Sequence, residues 1–166
     1  IPSSPKLTRS PSTGALAAER ANATSAPESK LQAIVSRLKS RLEITAPIVV
    51  SIVQTNALMM SVEAPTDTRN TFLLSVEGSF LDALNDEELE AAVAHELGHV
   101  WIFTHHPFLQ TEELANQIAM RAVKRANLER VYAKVWERGG TKGDLARFLG
   151  AAPSTSAAGL ASDSSR

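Results

Sequence analysis

The 166-residue chain contains no cysteine. Disulfides are therefore excluded, and so is a thiolate metal site. It also lacks a dominant charge. Against 17 Lys and Arg stand 18 Asp and Glu, a net charge of −1, so no strong field draws in nucleic acid or an anionic membrane. No apolar run approaches the roughly 18 residues that a transmembrane helix needs, and no internal repeat is present. What remains is 43% hydrophobic, ordinary for a globular protein and long enough for one domain with a real core.

Large apolar residues are scarce at both ends. Residues 1–26 (IPSSPKLTRSPSTGALAAERANATSA) and 151–166 (AAPSTSAAGLASDSSR) are rich in Ser, Ala and Pro. Neither end can bury enough surface to offset its ordering entropy. Both read as flexible tails around a folded domain at 27–150. The chain opens on Ile rather than Met. With the character of the tails, this gives the expectation of a periplasmic or secreted protein whose signal peptide has been removed.

Within the domain, Leu31, Ile34, Val35, Leu38 and Leu42 recur at helical spacing and predict an amphipathic helix. Three β-rich runs follow, at 48–53, 57–63 and 71–77, separated by turn residues. A second helix is predicted from Asn85, with Glu88 completing a capping box, and should stop before Pro107. Thr111 is a plausible cap for a third, reading EELANQIAMRAVKRA. LERVYAKVWER predicts a fourth, ending at Gly139-Gly140. Helix, small sheet and further helices make the class α+β.

The second helix carries His95-Glu96-Leu97-Gly98-His99. Residues i and i+4 share a helix face, so two imidazoles at this spacing can hold one zinc ion. Glu96 lies about 100° around the helix from His95. It is placed to act as general base toward a water without ligating the metal. The surrounding sequence, AAVAHELGHVWIF, is apolar nearly all round, as in a buried helix. Three ionisable groups there demand compensation that a metal would supply. Gly98 also needs a reason, since mid-helix glycine costs about 1 kcal/mol against alanine. Close approach of a neighbouring element is one; local helix packing is the other.

A hydrolytic zinc site usually has three protein ligands and water. Glu112, with Asn116 one turn later, and His105 compete for the third place, with Glu113 the weaker alternative. His105 has the spacing of HExxHxxGxxH, but Ile102 stands where that motif turns on glycine. That β-branched residue, which suits a continuing helix better than a glycine-type turn, favours Glu112. For stabilising a developing oxyanion, Tyr132, His105, His106 and Arg121 are all eligible. Trp101 and Trp136 read as core or cleft-lining residues, and the run TFLLSVE as the strand nearest the cleft.

Residues 56–119 resemble the gluzincin zinc metallopeptidases of the HtpX and CaaX-prenyl-endopeptidase type. The matching text is NALMMSVE, TFLLSVEGSFLDALNDEELEAAVAHELGHV and EELANQIA, the last falling on the family's E-x-x-A-D-x-x-A. The resemblance implies a zincin-like fold and an endopeptidase. It implies one zinc ion per chain held by His95, His99 and Glu112, with Glu96 catalytic. Asn116 takes the place of the family's Asp, which hydrogen-bonds a zinc-bound histidine; a neutral amide can still accept the imidazole N–H. Many members of the family carry transmembrane helices, and this sequence has none.

The expected function is thus hydrolysis of peptide bonds in a peptide or unfolded protein, with no nucleic-acid partner. The competing class is a non-catalytic zinc-containing or degenerate peptidase-fold module that binds protein.

Overall fold

Ser25 and Glu28 start the first helix by a reciprocal pair of bonds. The Ser25 N–H donates to Glu28 Oε2 at 3.1 Å, and the Glu28 N–H donates to Ser25 Oγ at 3.4 Å. This capping box satisfies two donors that a helix start leaves open. Helix α1 runs Ala26–Arg41, and Leu31, Ile34, Val35, Leu38 and Leu42 are all buried, as their spacing predicts. This computed structural model describes residues 24–66 and 68–152. Apart from their innermost residues, the two expected tails lie outside the described residues.

Three strands follow: β1 (Ile48–Val53), β2 (Met60–Glu63) and β3 (Phe72–Glu77). Their order is β1-β3-β2, with β1 parallel and β2 antiparallel to β3. β2 begins three residues later than the sequence predicts. The Asn56 side chain accepts the Leu58 N–H at 2.9 Å, and Met59 takes a left-handed φ of 66°. That turn uses up 57–59 before pairing can begin. β3 is paired on both edges, and Phe72, Leu74, Ser75 and Val76 are buried. The expectation that TFLLSVE is the strand nearest the cleft holds for the Phe72 side chain, which lines a cavity together with Met60 and Val62 of β2, but not for the main chain. A central strand has no free main-chain edge, and the edge role falls to β2.

Helix α2 (Gly78–Ala83) follows β3 directly, and Phe80 anchors it in the core. Helix α3 runs Asp86–His105 from the capping box of Asn85 and Glu88. It ends where His106 and Pro107 break the helical path. It packs against α1 and β2, against helix α4 (Glu112–Ala119) and against helix α5 (Arg125–Gly139). Its buried residues, among them Ala91, Val93, Ala94, Leu97 and Val100, accordingly point in several directions. A short 3-10 turn, Pro107–Leu109, connects α3 to α4, whose Thr111 cap accepts the Leu114 N–H at 3.1 Å.

The predicted third helix is shorter than its pattern. It stops at Ala119, and turn bonds carry the chain to Lys124. No Gly or Pro marks this break. The reversal lets α5 lie back along α3, so packing overrides propensity. Gly140, at φ 64°, closes α5 in the left-handed conformation. A last helix, α6 (Leu145–Leu149), has no counterpart in the sequence reading. Among the described residues no helix is long and apolar enough to cross a membrane.

Glu88 ties α3 to α5. It is 3% exposed and pairs with Lys134 Nζ at 2.5 Å and Arg130 Nε at 3.6 Å. Burial alone would raise its carboxyl. The Lys134 hydrogen bond, the Asn85 N–H and the Arg130 charge outweigh burial and hold it below its ordinary value. With the folded pKa below the unfolded one, the stabilisation is complete above the unfolded carboxylate range. It is lost as pH falls through the folded value. Glu88→Gln should cost about 2 kcal/mol in urea unfolding at pH 7, less than a fully buried pair because Lys134 and Arg130 are partly exposed. The gap from wild type should narrow steadily below pH about 4. A gap that does not change with pH would mean that charge is not what Glu88 contributes.

Candidate metal centre

His95 and His99 project from one face of α3, with ring centroids 4.9 Å apart and planes at 88°. Glu112, in the first turn of α4, faces both. Its Oε2 lies 3.2 Å from His95 Nε2, and its Oε1 lies 3.3 Å from His99 Nε2. The connection across 100–111 is tight enough for this because α3 and α4 approach at Gly98. A Cβ at residue 98 would run into the Ala115 backbone, lying 2.9 Å from both its Cα and its carbonyl carbon. The glycine is therefore explained by close approach of a neighbouring helix, one that carries a member of the cluster.

Neutral amides fix the protons on both imidazoles. The Asn116 Nδ2 donates to Tyr132 Oη at 2.7 Å and to the Phe148 carbonyl at 2.8 Å. Its Oδ1 is then the acceptor facing His95 Nδ1 at 2.8 Å. Gln110 Nε2 donates to the His99 carbonyl at 3.0 Å, which turns its Oε1 toward His99 Nδ1, also at 3.0 Å. Each Nδ1 thus carries a hydrogen, and each Nε2 faces the Glu112 carboxylate, where it can offer a lone pair to a shared cation or, on a protonated ring, donate a hydrogen bond.

Three electron-rich donors facing one another favour positive charge between them, from protons on the imidazoles or from a metal ion. The charge balance leans the same way. Hydrogen bonds from His95 and His99 hold the Glu112 carboxyl far below its ordinary value. Burial opposes the charged form of His99, but bonds to Glu112 and Gln110 and the charge of Glu96 shift it upward overall. The ligand atoms of His95, His99 and Glu112 lie within 4.8 Å of one another, so these residues can hold a metal ion. Nitrogen and carboxylate donors suit zinc, whose roughly 2.1 Å bonds set tetrahedral donors about 3.4 Å apart. The observed 3.2 and 3.3 Å fit that spacing.

Glu96 sits beside the cluster without joining it. Its Oε2 accepts the Val62 N–H of β2 at 3.0 Å. Burial is the main reason its carboxyl is raised, against the opposing charges of His95 and His99. The Glu77 N–H to Met59 carbonyl bond sets the alternation along β2. Ser61 and Glu63 turn their main-chain groups to β3, while Met60 and Val62 turn theirs to the open side.

These groups border a cavity of about 590 Å³. Leu58, Met60 and Val62 form one wall; Leu128, Val131 and Val135 of α5 form another. Tyr132 lines it next to the ligand residues, packed edge-on against His95 with ring centroids 6.0 Å apart. The α5 residues form a legible stripe at helical spacing, but nothing in the sequence says which element the stripe faces. Gln110 and the Phe148 carbonyl gave no signal at all.

Other sequence candidates fall elsewhere. His105 stacks on Trp101 at 4.1 Å and donates through Nδ1 to the Trp101 carbonyl at 2.8 Å, outside the cluster. His106 and Arg121 also lie against Trp101. Glu113 is exposed and faces Gln117. Neither tryptophan lines the cavity; Trp136 packs on Tyr132 and Phe148.

No protein-family model matches the chain, and no curated protein matches it in sequence. Its fold is similar to that of a solved metallopeptidase zymogen, abylysin of Pyrococcus abyssi. That likeness has a TM-score of 0.50 at 14% identity, covering 68% of this chain and 97% of the other.

Gly98→Ala should destabilise the protein by about 1–3 kcal/mol, although alanine is the better helix former, because α4 must move away. Metal affinity should fall with it, since Glu112 moves too. Urea unfolding and a zinc titration on the same variant would check this; unchanged affinity would detach the glycine from the cluster.

Proposed function

We propose that the protein is a zinc-dependent peptidase of the zincin type, acting on peptides or unfolded protein, as the resemblance to the HtpX and CaaX-prenyl-endopeptidase gluzincins implies. The observation that carries this reading is the convergence of His95 Nε2, His99 Nε2 and the Glu112 carboxylate beside Glu96. The fold shared with a metallopeptidase zymogen supports it. A purely structural zinc site has no use for a fourth ionisable group at its side, nor for an apolar cleft beside it.

His95, His99 and Glu112 would hold the ion. Zinc in such a site supplies Lewis acidity, polarising a scissile carbonyl and making water a nucleophile near neutral pH. Glu96 takes the proton from that water and returns it to the leaving amine. The Val62 N–H holds its carboxylate in place, and burial moves its pKa toward the range a general base needs. An extended substrate running along β2 donates to the outward-facing carbonyls of Met60 and Val62, whose own N–H groups are held by Leu58 and Glu96, and its side chains are led into the apolar cavity. Bulky apolar residues near the scissile bond are favoured, because the remaining lining offers no opposite charge.

Of the four residues eligible to stabilise an oxyanion, Tyr132 lines the cavity. Its oxygen accepts from Asn116, leaving its own hydrogen to donate. Burial first, then the charges of Glu112 and Glu96, raise its pKa, so the phenol stays protonated throughout the neutral range.

The test joins elemental analysis to hydrolysis of a quenched unfolded-protein substrate. Wild type should carry one zinc per chain and show chelator-sensitive cleavage. Glu112→Ala should lose zinc. Glu96→Gln should keep zinc and lose turnover, and retained hydrolysis there would sink the mechanism. Zinc without cleavage in wild type would favour the binding-module reading.

Tyr132→Phe should lower kcat by roughly 10²–10³, the usual loss of one oxyanion donor. KM and zinc content should change little. A rise in KM alone would make Tyr132 a wall of the cleft rather than a participant.

A further inference from the structure

Asn116 is wholly buried and uses both faces of its amide. An aspartate in its place would accept from His95 equally well, and with charge. It could not donate to the Phe148 carbonyl, which lies 2.8 Å from Nδ2. The amide therefore joins His95 to α6, a connection that a carboxylate does not make.

The amide also has to face one way round. If it rotated by half a turn, Nδ2–H would face His95 Nδ1. That nitrogen would then need its lone pair, and the ring proton would move to Nε2. Such a tautomer has no lone pair for a metal. Tyr132 Oη can donate or accept, so it tolerates either orientation. The Phe148 carbonyl only accepts, and it alone fixes the choice.

Helix α6 is too short to be stable by itself. Buried Leu149, the Phe148 ring on Tyr132 (centroids 5.4 Å apart) and Arg125 hold it down. The Arg125 guanidinium donates to the carbonyls of Leu149 at 2.7 Å, Gly150 at 2.8 Å and Ala151 at 3.3 Å.

We propose that α6 is a metal-linked element: docked, it orients Asn116 and so holds His95 in the tautomer that ligates, and the bound ion in turn keeps α6 docked. Asn116 and the Phe148 carbonyl are positioning groups, acting through His95. The inference rests on the metal reading of the cluster.

Zinc affinity, measured by competition with a chromogenic chelator, tests it in full-length wild type, Arg125→Met, Asn116→Ala and the double variant. Asn116→Ala should weaken binding by roughly 10–100-fold, as for other residues that orient a ligand. Arg125→Met, which touches no ligand, should weaken it several-fold in the wild-type background and not at all in Asn116→Ala. By linkage, adding zinc to wild type should slow amide exchange at 145–150 by a similar factor. An equal loss from Arg125→Met in both backgrounds would overturn the proposal. So would no loss in either, or exchange indifferent to zinc. If wild type binds no zinc, the metal reading fails along with it; if wild type and Arg125→Met bind zinc equally, only the coupling fails.

Discussion

At Gly98 the backbone of one helix rests against the backbone of another, with no side chain between them. Two helices normally pack 8–10 Å apart, spaced by their side chains. Removing the Cβ at the contact lets α4 come closer, and the cluster depends on that. Glu112 stands one turn before Ala115, and Asn116 directly after it. A shift of α4 by the width of a methyl group would take the carboxylate away from both imidazoles and the amide away from His95. The surrounding fold maintains this contact. α5 clamps the start of α3 through Glu88, Arg130 and Lys134, and α1 and β2 pack on its other sides.

The second constraint is electrostatic. Two imidazole lone pairs and a carboxylate directed at one point repel one another until something positive lies between them. Asn116 and Gln110 leave the rings no alternative tautomer, so the repulsion cannot be relieved by moving a proton within the ring. Both partners are neutral. They orient the rings without adding negative charge, whereas a carboxylate partner would also make the imidazole more basic.

The helices were legible because their signals are local. The capping residues Ser25 and Glu28, Asn85 and Glu88, and Thr111 lie within a turn of the ends they set, and the burial of Leu31 to Leu42 follows from spacing alone. The pair His95 and His99 was legible for the same reason, since i and i+4 face one way in any helix. What the sequence could not convey depends on approach between distant segments. The break after Ala119 has no breaker residue, and the central place of β3 depends on which strands pair. Gln110 reaches His99 from a loop, and α6 presents a main-chain carbonyl, which no side-chain pattern can announce. Asn116 lay between these cases. Its position on α4 was visible, and its tie to Phe148 was not.

The bond from the Val62 N–H to Glu96 bears on solubility as well as on chemistry. β2 is an edge strand, and an edge strand with unsatisfied outward groups is a template for pairing with another chain. Here a side chain from α3 covers the outward N–H of Val62, next to a hydrophobic surface that includes exposed Leu58 and Phe103. A residue at 96 that accepts no hydrogen bond would leave a bare strand edge beside that surface, the combination from which β-type self-association starts. The Glu96 carboxylate thus covers the point on β2 at which a strand of another copy would begin to pair.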